Sequence, residues 1–229
     1  MSALSTPVVW SSVPLLREGD RLTSTEFERR YDAMPNLKTA DLLDGVVYIG
    51  SPVRTLQHGM PQTLLLGWLV NYWVATPGTL PSDNGTVRID DNNVPQPDAL
   101  LMIQRKGQSR LDEDGYVAGG PELVAEVAGG RNDAILRAKK TTYRRAGVRE
   151  YILWHVADAE VEWFMLNGSR YVKLRADRDG IHRSVVFPGL WLDVAALVRF
   201  DGPEVMRVLN LGLISPEHAA FVAGLRENG

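Results

Sequence analysis

Three ionisable residues, Asp98, Glu126 and Lys139, stand where the surrounding pattern calls for apolar ones. In Leu123-Val124-Ala125-Glu126-Val127-Ala128 a carboxylate interrupts an apolar run of the kind expected for a strand covered on both faces. In Pro97-Asp98-Ala99-Leu100-Leu101-Met102-Ile103 a second carboxylate sits at the mouth of a comparable run. Further along, Ile135, Leu136, Lys139, Thr142, Tyr143 and Ala146 fall at offsets 0, 1, 4, 7, 8 and 11, which define one helix face. Lys139 is therefore predicted to point toward a sheet, while Arg137, Lys140 and Arg144 lie around the exposed side. A buried ammonium without a partner is costly, and the two carboxylates are its compensation. Two carboxylates brought together repel unless a cation lies between them, and their oxygens suit magnesium or manganese. For any one residue the alternative is structural: Lys139 snorkels past the stripe, or only makes an ion pair with Glu126.

The elements that must position these residues read as an α/β pattern. Thr23-Ser24-Thr25-Glu26 has the spacing of a helix start, for a short helix to about Met34. Leu42 to Ile49 is a strand candidate interrupted by Asp44-Gly45, where a hairpin or a bend is expected. Helical spacing from about Thr55 to Ala75 predicts a long helix with Pro61 near its first turn. Residues 86–90, 98–103 and 123–128 fit strands, and 104–121 a loop with a small hairpin. The helix over 133–146, stopped by Gly147, and the strand over 151–156 make a βαβ unit with residues 123–128, so those two strands should be parallel. Residues 160–166 and 170–174, joined at Asn167-Gly168, predict a hairpin, and helices follow over 194–199, 203–211 and 216–226. Residues 1–22 read as an N-terminal arm, with one domain over 23–229 that carries a helical elaboration from about 193.

Composition narrows the classes of function. A chain of 229 residues with 45% hydrophobic content can bury a sizeable core, and two full domains would be a squeeze. The absence of Cys excludes a disulfide framework, a thiolate zinc site and a cysteine nucleophile. His58, His155, His182 and His218 are far apart and form no HxxxH or HExxH pair, so a histidine-rich zinc site has little support. No basic start followed by an apolar stretch and no run of 18 apolar residues is present, so a cytoplasmic protein without a membrane partner is expected. A net charge of −3 argues against nonspecific coating of nucleic acid, yet allows an enzyme with a local basic patch.

Ordered pieces of the chain resemble the Uma-type restriction endonuclease family, within the PD-(D/E)XK nuclease superfamily. They are Asp41-Leu-Leu-Asp-Gly45-Val-Val-Tyr48, Ser51-Pro52-Val53, Gln96-Pro97-Asp98, Pro121-Glu-Leu-Val-Ala-Glu126-Val127 and Lys139-x-x-x-Tyr143-Arg-Arg-Ala-Gly147-Val-Arg-Glu-Tyr151. The resemblance covers roughly residues 35 to 160. It implies a restriction-endonuclease-like core, a mixed β-sheet flanked by helices, with an extra β-hairpin and C-terminal helices. It also implies Asp98 and Glu126 as metal holders, helped by the Val127 carbonyl, and Lys139 supplying from the helix the lysine often found two residues after the glutamate, where this chain has Ala128. Asp41 matches the family's usual glutamate near the first elements; Asp44 is the fallback, with a turn before Gly45 as its alternative role. The expected function is Mg2+-dependent hydrolysis of DNA phosphodiester bonds, with Mn2+ as a substitute metal and a homodimer as the form suited to cutting two strands. The alternative is a silent nuclease-fold protein acting as a binding or oligomerisation module.

Departures from the family pattern bear on activity. Where relatives carry a serine-containing loop and an aspartate four residues before the lysine, this chain has Ala128-Gly129-Gly130 and Ile135. Asp133 either partly replaces that carboxylate or caps the helix. His58 falls where relatives place a histidine on the long helix, but a satisfied core or surface histidine is the commoner role for a lone one. Gly129-Gly130 could cradle a phosphate, although a strand-to-helix turn explains the pair more simply. The basic residues Arg131, Arg137, Lys140, Arg144, Arg145 and Arg149 could follow a DNA backbone, and a solvated helix face accounts for most of them.

Overall fold

The computed structural model describes residues 13–50, 54–128 and 134–227. Thr23 accepts the backbone N–H of Glu26 and starts α1 (Ser24–Asp32), whose one buried side chain is Phe27. Asp44 and Gly45, both at positive φ, turn the chain between β1 (Ala40–Leu43) and β2 (Val46–Ile49), an antiparallel pair. Residues 13–22 run along that pair: Gly19 donates to Val47 O and Val47 donates to Asp20 O. The long helix begins irregularly. Residues 55–59 form one wide turn, closed by Gly59 N to Arg54 O, before the regular α2 (Met60–Ala75). Pro61, lacking an N–H, cannot complete the α-type ladder there.

The strands follow as β3 (Thr79–Asp83), β4 (Val87–Arg88), β5 (Ala99–Ile103), β6 (Arg110–Leu111), β7 (Val117–Ala118) and β8 (Leu123–Ala128). Next come α3 (Ala134–Arg145), β9 (Glu150–His155), β10 (Glu160–Asn167), β11 (Arg170–Lys173), β12 (Ile181–Arg183) and β13 (Trp191–Asp193). The chain closes with α4 (Val194–Val198), α5 (Gly202–Leu213) and α6 (Pro216–Glu227). The central sheet runs β11-β10-β9-β8-β5-β3. Only β8 and β9 are parallel, as the strand-helix-strand unit requires; the other neighbours are antiparallel.

Several expectations shift. The strand expected over 86–90 shrinks to β4 and leaves the main sheet for a three-stranded one with β7 and β6, because the Asp-Asp-Asn-Asn stretch after it turns instead of pairing. β3 had no readable signal. Its TLPSD sequence neither alternates nor is rich in branched residues, and Pro81 is tolerated because β3 is an edge. β12 and β13, too short to show a period, were also unread. The two-residue turn of the last hairpin falls on Gly168-Ser169, one step later than expected, with Gly168 at φ 58°.

Alternation along β8 sorts the two faces. Leu123, Ala125 and Val127 enter a core with α2, α4 and α5, while Val124 and Ala128 enter a second core under α3. A third cluster, Leu16, Phe27, Ala40, Leu42, Val47 and Val94, fixes the N-terminal hairpin. Glu126, sharing parity with Val124 and Ala128, thereby faces α3. No single described helix is long and apolar enough to cross a membrane.

Candidate active site

Sheet register brings the first two carboxylates together. Ala99 lies opposite Ala125, so one further step of the antiparallel pair places Asp98 opposite Glu126 on the α3 face. The α3 stripe does what its spacing predicts: Leu136, Lys139, Thr142 and Tyr143 are its buried residues. The Lys139 ammonium stands 3.2 Å from Glu126 Oε1 and 3.2 Å from Asp41 Oδ1, and donates to the Gln96 carbonyl at 2.8 Å. All four groups are at most 8% exposed. Asp41 also accepts the Gln96 N–H at 2.6 Å, so this one residue joins β1 to the site by its backbone. Asp44, the fallback acid, is not here; it lies exposed in the β1–β2 turn and pairs with Arg145.

Two partners were under-read in the sequence. Tyr143 donates its hydroxyl to Glu126 Oε1 at 2.8 Å; its place on the buried stripe was visible, but not what it would meet. His58 Nε2 stands 3.2 Å from Asp98 Oδ1, so this histidine is neither a core nor an idle surface residue. The wide turn before α2 is what carries it to the site. Gly129, Gly130, Arg131 and Asp133 lie outside the described residues. Among the basic residues of α3, Lys140 is half-buried with its ammonium 3.3 Å from the centre of the Phe164 ring, and Arg144 donates to Ser169 O, so neither is simply solvated.

Two carboxylates, Glu126 and Asp41, pair with the one ammonium, and Asp98 acts on it from further away. Burial raises the Glu126 carboxyl to about 8, with Asp98 and Asp41 adding to the rise and Lys139 opposing it. Asp41 is raised for the same first reason, burial, against Lys139 and the Gln96 N–H. Burial acts to lower Lys139, but Asp41, Glu126 and Asp98 outweigh it and hold the ammonium charged.

The backbone adds one more acceptor. Continuing the β5–β8 register puts Val127 opposite Pro97. Pro97 has no N–H to give to the Val127 carbonyl, and the Val127 N–H goes to Asp98 Oδ2 instead, at 2.7 Å. Asp98 and Glu126, on one face of the sheet, and the Val127 carbonyl, which Pro97 leaves without its ladder donor, offer oxygen donors only, the chemistry that suits a hard divalent cation. Among the described residues no three Asp, Glu, His or Cys side chains stand together as a ready metal cage. Magnesium does not need one, since it uses one or two carboxylates and keeps several waters or substrate oxygens.

Residues 25–195 match the Uma2 family, described as "Putative restriction endonuclease". The chain belongs to the Uma2 family. The solved structure of a protein described as a "putative nuclease belonging to DUF820", from Anabaena variabilis ATCC 29413, matches with a TM-score of 0.55 and 12% identity, over 77% of this chain and 99% of that one. At that identity the likeness concerns the fold alone, a mixed sheet flanked by helices. No curated protein matches the chain. In this Uma2 member the matched span holds β1, β5, β8 and α3, the elements that bring Asp41, Asp98, Glu126 and Lys139 together.

Proposed function

We propose that the protein is a metal-dependent endonuclease that hydrolyses DNA phosphodiester bonds. The observation that carries this reading is the buried pairing of Lys139 with Glu126 and Asp41, with Asp98 opposite Glu126 on the same sheet face, in a chain of the Uma2 family. Asp98, Glu126 and the Val127 carbonyl would hold Mg2+, or Mn2+ in its place, and such a cation supplies activation of water and neutralisation of phosphate charge. Lys139, kept charged by its carboxylates, would orient the attacking water or stabilise charge developing on the phosphate. Tyr143 and His58 hold the carboxylates of Glu126 and Asp98 in place. Cutting both strands of a duplex calls for two sites, so the proposal extends to a homodimer, to be checked by sedimentation with and without duplex DNA.

Cleavage of plasmid and oligonucleotide DNA with magnesium or manganese tests the reading. Asp98→Ala and Glu126→Ala are expected to abolish metal-dependent cleavage, and Lys139→Ala to lower turnover more than metal affinity. Full activity in both carboxylate variants would sink the proposal. A second reading, a structural ion network in a silent nuclease fold, is favoured by the three acceptors already around Lys139. On that reading, replacing the cluster with apolar residues of similar volume preserves or raises stability, and no metal binds.

A further inference from the structure

A cavity of about 360 Å3 opens between α1 and the β4–β7 pair, on the far side of Gln96 from Lys139. Its most buried lining groups are Phe27, Val94 and Gln96, and the Tyr31 and Tyr116 rings stand at its walls. Phe27 and Tyr31 stack at 5.8 Å with 11° between their planes, so the Tyr31 ring is held in a fixed plane. The size falls in the range of pockets for small ligands, roughly 300–1,000 Å3.

Charge and hydrogen bonding decide what fits. The lining holds Glu28, Asp32 and Asp114 against the single cation Arg88, which disfavours a phosphate or other anion. The place for a cation is already taken. The Arg88 guanidinium already lies 4.3 Å from the Tyr116 ring centre and is bonded to Glu28, Asp112 and Asp114. The neutral groups are largely committed: the Gln96 amide donates to Tyr31 and Thr86 and accepts from Ala40, and the Tyr31 hydroxyl donates to Lys38 O. Both Glu28 oxygens go to Arg88, so the spare acceptors are carboxylate oxygens of Asp32 and Asp114. A flat, uncharged occupant with donors on its edge fits this lining.

We infer that this cavity binds an unstacked nucleobase bearing an exocyclic amino group, with its ring on Tyr31 and its amino edge on Asp32 or Asp114. That the base belongs to the DNA strand being cut rests on the nuclease reading; the binding of such a ring does not. The connection to the site is a single residue. Gln96 reaches Tyr31 with its side chain, at 3.3 Å, while its backbone holds both Lys139 and Asp41. Enzymes that act on an extruded base read it by stacking and by hydrogen bonds to its edge, and here that reading would abut the catalytic lysine.

Ligand-observed NMR with adenosine, cytidine and thymidine, on the whole protein without metal, tests the inference. Adenosine and cytidine are expected to receive saturation at their base protons, and thymidine much less. Tyr31→Ala should weaken binding roughly 5- to 150-fold, the range for loss of one base–aromatic stack. Because Tyr31 also packs on Phe27, the double variant Asp32→Asn, Asp114→Asn is the shape-preserving control, and it should erase the preference over thymidine. No binding by any nucleoside, unchanged binding in both variants, or displacement by choline as the better occupant overturns the inference. Binding without DNA cleavage by the wild type overturns the nuclease reading alone, and cleavage without nucleoside binding overturns the pocket alone.

Discussion

Glu126 carries the largest consequence of any single residue. It is 2% exposed, and its carboxyl is raised to about 8 by burial and by two neighbouring carboxylates. Between its ordinary 4.5 and that value, the native state keeps a proton that the unfolded chain has released, so stability falls as pH rises through this window. Asp41, raised by burial from 3.8, acts in the same direction. Urea unfolding of the metal-free protein between pH 5 and 8 should show a falling midpoint, and Glu126→Gln should flatten most of the fall; parallel slopes in the two proteins would refute the assignment. Tyr143→Phe is the companion test. The ring contact with Tyr151, 5.8 Å between centroids, is kept, but Glu126 Oε1 is left with Lys139 alone as its partner, at a cost of about 1–3 kcal/mol. A stability change below about 0.5 kcal/mol would mean that Lys139 alone satisfies Glu126.

At the scale of elements, a second buried carboxylate does structural work of a different kind. Glu150, the first residue of β9, accepts the N–H groups of Val185 and Val186, the Ser184 hydroxyl and the Trp163 indole N–H. It pins the segment between β12 and β13 onto the sheet. Glu150→Ala strands several buried donors at once and should destabilise the fold by about 3 kcal/mol, with loss of hydrogen-exchange protection at Val185 and Val186 as the specific readout. Nothing in the sequence near Glu150 pointed to this, because three of its four partners lie 34 to 36 residues away in the chain. The same distinction runs through the whole fold. α3, β8 and the hairpin of β10 and β11 were legible because a period or a turn signal is local. β3, β12 and β13 were not, since their pairing is decided by neighbours remote in sequence. Lys139 was found from its helix face, whereas His58 needed the wide turn and Asp41 needed the β1–β2 pairing to reach the site.

Across the whole molecule, the site stands where three separately packed parts meet: the central sheet, α3 and the N-terminal hairpin with its own apolar cluster. Asp41 comes from the hairpin, Asp98 and Glu126 from the sheet, and Lys139 from α3. A cation held by Asp98, Glu126 and the Val127 carbonyl would bind the folded chain and not the unfolded one, so it must raise the stability of all three parts together. At a free metal concentration one hundred times the dissociation constant the gain is about 2.7 kcal/mol. For a chain of this size, that corresponds to a rise of roughly 5–10 °C in the melting temperature. Glu126 must release its proton for the metal to bind, which sets the pH dependence: the rise on adding manganese should be larger at pH 8 than at pH 6. Scanning calorimetry at both pH values, with Asp98→Ala and Glu126→Ala as controls, separates this from nonspecific effects, because either variant should remove the rise. A wild-type protein that melts at the same temperature with and without millimolar manganese at pH 8 would leave Lys139 as the partner of a structural ion network and remove the metal from the site.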